Sequence, residues 1–272
     1  MRSSGSGAFA SNRSLMPVDP LVVAVAAAHD AGAVLLRRAR DPGSVREKGR
    51  RGDLVTDADR AAETAVLERL TLSFPNAAIL AEEGGMRAGS SGERWIVDPL
   101  DGTTNFAHGY PLYCVSIGYE RDGELIAGVI YAPAIDECFT ARRGAGARLN
   151  GAPIRVSNVE RVRDAMVCTG FQPSDFARNG PWFAAMSDRA QALRRDGSAA
   201  LDLAFVACGR FDGFWEFDLN PWDVAAGMLL VREAGGAVSQ TTGEDARLDA
   251  PSILATNGRI HDEIAAVFSP SD

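Results

Sequence analysis

Asp98 and Asp101 stand three residues apart in Trp95-Ile96-Val97-Asp98-Pro99-Leu100-Asp101-Gly102-Thr103-Thr104-Asn105-Phe106, where an apolar run delivers two carboxylates into a Pro/Gly turn. Carboxylate oxygens are the ligands that a hard cation such as Mg²⁺ prefers, and two held close together repel unless a cation lies between them. Glu82, at the end of Ala78-Ile79-Leu80-Ala81, and Asp223, at the start of a helical stretch, can complete such a cluster. Leu100 can add its backbone carbonyl, which the turn must point somewhere polar. Asp-Pro-x-Asp-Gly is also an ordinary turn sequence, and alone it fixes neither reading. Its company shifts the balance: Glu82-Glu83, Asp53-Leu54-Val55-Thr56-Asp57-Ala58-Asp59, and Asn220-Pro221-Trp222-Asp223-Val224-Ala225-Ala226-Gly227.

The elements that must position these residues are short. A helix with apolar positions Leu21, Val25, Ala28 and Leu35 is followed by the charged, glycine-punctuated stretch Glu47 to Asp53, which reads as an exposed loop. Thr56 or Asp57 caps a second helix running through Val66, Leu67 and Leu70, and Phe74-Pro75-Asn76 stops it. Ala78 to Ala81 and Arg94 to Val97 read as buried strands that both end in carboxylates. Cys114 to Glu120 and Leu125 to Tyr131 flank the hairpin signal Asp122-Gly123, and Asn150-Gly151 marks a second turn, so this middle region is a meander. Beyond Val156 come a strand at Met166 to Thr169, an apolar helix at Ser198 to Cys208 capped by Ser198, and a strand at Phe211 to Phe217. A helix at Asp223 to Ala234 stops at Gly235-Gly236, and strand and helix signals at Ser252 to Ala255 and Ile260 to Phe268 finish the chain. The expected organisation is a tail at 1–14 and a single unit at 15–272. Its two packed halves, 15–156 with the metal ligands and 157–272 completing the substrate site, would meet at the site.

With 272 residues, 46% hydrophobic and 24% charged, the chain can bury a substantial core. A net charge of -8 disfavours direct binding to nucleic acid or an anionic membrane. Cys114, Cys138, Cys168 and Cys208 form no C-x-x-C pair and read as buried thiols of a reducing, cytoplasmic compartment. The apolar run Leu21 to Leu36 is interrupted by His29, Asp30 and Gly32, which favours a core helix over a membrane span. Residues 1–14, rich in Ser and Gly, lack the apolar block of a signal peptide.

Taken together, these motifs closely resemble the inositol monophosphatase family, particularly its bacterial SuhB-like branch, from about Pro20 to Phe268. The resemblance implies an α+β fold, the layered α/β/α/β/α sandwich shared with fructose-1,6-bisphosphatases. It also implies Mg²⁺-dependent, lithium-sensitive hydrolysis of a small phosphorylated metabolite, with inositol 1-phosphate the leading substrate, and a homodimer. Carried onto this sequence, it makes Glu82, Asp98, the Leu100 carbonyl, Asp101 and Asp223 the metal ligands. Glu82 and the hydroxyl of Thr103, paired with Asp59, would orient the attacking water; the plain reading of Asp59 is a favourable charge in a helix first turn. Asp101, Gly102, Thr103, Thr104, Gly197, Ser198, Ala199, Glu216 and Asp223 would line the substrate, and Lys48 matches a lysine on a loop near the metals. A helix N-terminus at Gly197 to Ala199 would favour an anionic ligand.

Related phosphatases acting on histidinol phosphate, fructose 1,6-bisphosphate or 3′-phosphoadenosine 5′-phosphate use nearly the same ligands, so the ligands indicate the reaction rather than the substrate. The SuhB-like branch also includes partners of ribosomal-RNA transcription complexes. His29, His108 and His261 fit no triad or metal spacing. Arg194 and Arg195 stay outside the catalytic set, because the resemblance places one of them nearer subunit packing. No cysteine precedes an arginine by six positions and no G-x-x-x-x-G-K-[ST] loop is present, which disfavours phosphocysteine and P-loop chemistry.

Overall fold

Asp19 opens the first element: its side chain accepts the Leu21 N–H at 2.9 Å, and Pro20 occupies the first helical turn. The computed structural model describes residues 18–39, 44–47 and 54–268; the expected tail at 1–14, Lys48 and most of the charged loop lie outside the described residues. Within the first half run α1 (Pro20–Arg38), β1 (Val45–Glu47), β2 (Leu54–Thr56), α2 (Asp57–Ser73), β3 (Ala78–Ala81), β4 (Gly85–Arg87), β5 (Glu93–Asp101) and α3 (Thr103–Ala107). The meander follows as β6 (Cys114–Arg121), β7 (Glu124–Ala132), β8 (Glu137–Arg142), β9 (Gly146–Leu149) and β10 (Ala152–Ile154). Then come β11 (Met166–Thr169), α4 (Phe176–Ser187), β12 (Ala192–Arg194), α5 (Ala199–Ala207), β13 (Gly213–Phe217), α6 (Pro221–Glu233), β14 (Ala237–Ser239), β15 (Ser252–Thr256) and α7 (His261–Ala265).

Two sheets carry the layers. The larger has the order β10-β9-β8-β7-β6-β5-β3-β4, antiparallel except for the parallel pair β3 and β5. The smaller has the order β12-β11-β13-β15-β14, with β12, β11 and β13 parallel. Helices α1 and α2 cover one face of the large sheet, α5 and α6 fill the space between the sheets, and α4 and α7 pack on the small sheet. This is the expected α/β/α/β/α sandwich. The turn at Asp122-Gly123 has positive φ at both residues, 52° and 82°, as a two-residue hairpin loop between β6 and β7 requires.

The buried stripe of α1 runs through Ala24, Ala27, Ala28, Ala31 and Leu35, all fully buried, whereas Leu21 and Val25 flank it half-buried. Of the expected face, Ala28 and Leu35 lie in this stripe and Leu21 and Val25 at its edge; the small alanines let α1 lie close against Ala58, Ala62 and Val66 of α2. The same economy operates in the middle layer: a Cβ at Gly128 of β7 would stand 3.0 Å from the Cα of Ala226, so α6 lies directly on the large sheet. Glu47, expected in a loop, pairs with Leu54 in the β1–β2 hairpin.

Candidate active site

Strand β5 carries the first two carboxylates, and its irregularity is what unites them. In an unbroken strand, residues three apart face opposite sides of the sheet. Between Asp98 and Asp101 the pairing with β6 shifts register, with Pro99, which has no N–H to donate, inside the bulge. Both carboxylates consequently line one cavity of about 420 Å³. Asp98 is 2% exposed and accepts the Leu100 N–H at 2.9 Å. Gly102 closes the turn with φ +91°, and a Cβ there would meet the Leu112 carbonyl at 3.0 Å, so a side chain is excluded on both counts.

Glu82 enters from the end of β3, held by its own N–H to the Val97 carbonyl at 3.2 Å. The following turn is anchored by buried Glu63, whose carboxylate accepts the N–H groups of Glu83 and Gly84 at 3.0 and 3.2 Å. Asp223 sits in the first turn of α6, where its carboxylate accepts the Asn220 N–H at 2.7 Å in a reciprocal cap. That helix begins at Pro221, two residues before the expected start. Glu216 projects from β13 opposite Gly170, and a Cβ on Gly170 would lie 2.2 Å from its Oε2. Glu82, Asp98, Leu100, Asp101, Gly102, Thr103, Thr104, Gly197, Ser198, Ala199, Glu216 and Asp223 all line the cavity.

Asp59 stands behind that wall, fully buried in the first turn of α2. Its Oδ2 accepts the Thr56 N–H at 2.7 Å and the Thr56 hydroxyl at 2.6 Å, and its Oδ1 faces Thr103 Oγ1 at 3.0 Å. Burial pushes its carboxyl upward, and these hydrogen bonds oppose the shift. Thr103 Oγ1 also lies 3.0 Å from the Leu100 carbonyl but has one proton to give. When Asp59 is ionised it is the stronger acceptor, so the proton then goes to Asp59 and the hydroxyl oxygen keeps its lone pairs available.

The expected helix-terminus anion site has a different occupant. The Ser198 hydroxyl does not cap α5; it donates to Asp101 Oδ2 at 2.7 Å, and the same oxygen accepts the Ala200 N–H at 2.7 Å. A carboxylate from a sequence-distant strand thus caps the helix, which spans Ala199–Ala207 rather than Ser198 to Cys208. Local sequence could not show this, because the capping group lies 99 positions from Ala200.

Burial drives the carboxyls of Asp98 and Asp223 well above the usual range, and neighbouring carboxylates add to it: Glu82, Asp101 and Asp223 at Asp98, and Asp101 with Glu82 at Asp223. Burial raises Asp101 as well, against the hydrogen bonds from Ser198 and α5. Glu216 is raised well above its ordinary value by burial, then by Asp223 and Asp101. Burial and like charge thus dominate at Asp98 and Asp223, whereas at Asp101 burial is opposed by hydrogen bonds. An all-oxygen donor set converging under mutual repulsion fits a hard divalent cation.

Several lining residues escaped the sequence reading. Arg195, set aside there, borders the cavity with its guanidinium 4.6 Å from the Phe171 ring, donates to the Phe171 carbonyl, and offsets part of the shift at Glu216. Asn105 ties the two halves of the wall together, donating to the carbonyls of Leu112 and Asp196, each at 2.7 Å. His261 lies elsewhere, between Ser239 Oγ and Thr256 Oγ1 at 2.9 Å each. Cys138 and Cys208, expected to be buried, are partly exposed, and all four cysteines are free thiols.

The model of the inositol monophosphatase family matches residues 18–271. The chain is 45% identical to an inositol-1-monophosphatase of Synechocystis over 253 residues, covering 92% of this chain and 88% of the relative. It is 42% identical to the Nus factor SuhB of Pseudomonas aeruginosa over 261 residues, covering 92% and 96%. The crystal structure of the extragenic suppressor protein suhB from Bartonella henselae superposes with a TM-score of 0.89 at 41% identity, covering 92% of this chain and 98% of that one. With the family model spanning all of the described residues and a shared sandwich, the chain belongs to the inositol monophosphatase family.

Proposed function

We propose that the chain is a Mg²⁺-dependent phosphomonoester hydrolase of the cytoplasm whose foremost substrate is inositol 1-phosphate, with water as the nucleophile. The observation that carries this reading is the convergence of Glu82, Asp98, the Leu100 carbonyl, Asp101 and Asp223 on the cavity bordered by Thr103. Those five groups would hold the cation, which when bound supplies positive charge to the phosphate and acidity to a water. Thr103 Oγ1, its proton committed to Asp59, presents a lone pair to that water, and Glu82 offers a carboxylate to receive its proton. Asp59, tied down by the Thr56 N–H and hydroxyl, fixes the rotamer of Thr103. Glu216 meets substrate hydroxyls across from Gly170, and the Gly197 to Ala199 backbone borders the phosphate. With water as the nucleophile, no covalent intermediate on a side chain is required.

The test is a panel of phosphomonoesters compared by kcat/KM, because discrimination resides in that ratio. Inositol 1-phosphate should rank first and lithium should suppress its turnover. A preference for histidinol phosphate, fructose 1,6-bisphosphate or 3′-phosphoadenosine 5′-phosphate would replace the substrate and leave the metal chemistry standing.

A second reading rests on the 42% identity to a protein named Nus factor SuhB. It makes the chain, as a homodimer, a partner of a ribosomal-RNA transcription complex independently of hydrolysis. Equal capture of transcription proteins by the wild type and by an inactive Asp101→Asn variant would support it. The net charge of -8 points to a protein partner rather than RNA.

A further inference from the structure

One side-chain cluster beside the cavity takes no part in the chemistry above. Cys168 Sγ on β11 and one carboxylate oxygen each from Asp196 and Asp202 lie within 4.8 Å of one another. Cys168 and Asp202 are 0% and 1% exposed, whereas Asp196 is half-buried and borders the catalytic cavity. Both carboxylate oxygens of Asp202 are buried and find no hydrogen-bond partner among the described residues. The Cys168 thiol beside it has its hydrogen bond to the Thr169 carbonyl, at 3.9 Å.

An orphaned buried polar group costs about 1–3 kcal/mol, more when charged, and native folds rarely leave one. Burial raises the Asp202 carboxyl well above its usual range; the adjacent Cys168 thiol opposes the shift, and the charges of Asp196, Glu216 and Asp101 add to it. The Cys168 thiol is raised by burial and then by Asp202. Protonating Asp202 would not resolve the situation, because a buried carboxylic acid still needs an acceptor for its O–H.

One sulfur and two oxygens, with Asp196 also bordering the cavity, supply three of the four ligands of a tetrahedral site that keeps one open position. The thiolate excludes Mg²⁺ as the natural occupant and favours a borderline cation. With Zn–S at about 2.3 Å and Zn–O at about 2.1 Å, tetrahedral neighbours stand roughly 3.6 Å apart. From the present spacing of up to 4.8 Å a contraction of about 1 Å is needed, and half-buried Asp196 is the least confined of the three donors. Cys168 and Asp202 are held on a central strand and a buried helix, so two of the three donors are confined by the fold.

We propose that Cys168, Asp196 and Asp202 form a second metal site, separate from the carboxylate cavity, that binds one Zn²⁺-class cation reaching it through that cavity. Binding forms an S–metal and two O–metal bonds and releases the thiol proton, with any proton held by Asp202, to solvent. The inference stands on this cluster's own geometry and does not depend on the phosphatase reading.

The full-length protein, stripped by a chelator and resupplied with saturating Mg²⁺ to fill the oxygen site, is titrated with Co²⁺. The expected result is a cobalt–thiolate charge-transfer band in the near-ultraviolet that saturates at one equivalent and is displaced by Zn²⁺. The band should vanish in Cys168→Ser, weaken at least tenfold in apparent affinity in Asp202→Asn, and persist in Asp223→Asn. Metal-free Asp202→Asn should melt no lower than the wild type, which reports a folded variant. If Cys168→Ser does not fold, Asp196→Asn on the half-buried segment is read in the same way as Asp202→Asn. Absence of the band, its survival in folded Cys168→Ser, unchanged affinity in both aspartate variants, or its loss in Asp223→Asn would overturn the proposal.

Discussion

Thr103 Oγ1 and Asp59 Oδ1 meet at 3.0 Å across 44 positions of sequence, joining the turn after β5 to the first turn of α2. Asp59 closes the capping box of its helix and at the same time holds the hydroxyl that borders the acidic cavity.

The two roles of Asp59 separate by mutation. Thr103→Val removes the hydroxyl and keeps the shape, so kcat should fall by roughly 10²–10³ with KM little changed. Thr103→Ser should retain most of the activity. Asp59→Asn should lower kcat similarly and also cost about 1–3 kcal/mol of stability, because the Thr56 N–H and hydroxyl lose an anionic acceptor. Steady-state kinetics with urea unfolding distinguish the outcomes; a KM effect alone in Thr103→Val would refute the water-orienting role.

Gly170→Ala should act on substrate recognition. Its Cβ would stand 2.2 Å from Glu216 Oε2, so the carboxylate must turn away from the cavity. KM for inositol 1-phosphate should rise about tenfold, or ~1.4 kcal/mol, with kcat nearly preserved. Wild-type KM in Gly170→Ala would remove Glu216 from the substrate contacts.

Stability at mildly acid pH should depend on His261. Burial lowers its pKa below the ordinary 6.5, and it sits between two hydroxyls that suit a neutral ring. The unfolded chain then binds the proton more readily than the folded one, so this contribution is intact above about pH 6.5 and is lost as pH falls from there toward the folded pKa. Melting temperatures between pH 7 and 5 should show a steeper decline in the wild type than in His261→Gln. Parallel declines would contradict the assignment.

Removing metal should destabilise the protein. Mg²⁺ at about one hundred times its Kd should add ~2.7 kcal/mol, raising the melting temperature by roughly 5–10 °C. Asp98→Asn should abolish most of that increase, while its metal-free melting temperature stays at or above that of the wild type, since a buried like charge is gone. An undiminished Mg²⁺ response in Asp98→Asn would exclude this residue as a ligand.

Local signals made much of the frame legible. Apolar runs ending in Glu82 and Asp98, the Thr56 cap and the Asp122-Gly123 turn each act over a few residues, and each lies close to where it was expected. The bulge that brings Asp98 and Asp101 to one side depends on pairing with β6, which no local window contains. Asp101 as the cap of α5, Gly170 as the space for Glu216, and Arg195 on Phe171 are contacts between distant segments. Helix α4 has no local signature, because Gly180 and Pro181 argue against a helix there, yet it forms against the small sheet with Met186 buried. The pairing of Thr103 with Asp59 was legible only through family resemblance, since an acidic residue in a helix first turn has a sufficient local explanation.

The most direct test of the central claim is the Mg²⁺ dependence of phosphate release from inositol 1-phosphate by the wild type, Glu82→Gln and Asp223→Asn, with folding checked by circular dichroism. Saturable Mg²⁺ activation of the wild type, with kcat/KM lower by at least about 10³ in both folded variants, is the predicted result. Near-wild-type turnover in either variant, or release that is indifferent to Mg²⁺, would contradict it.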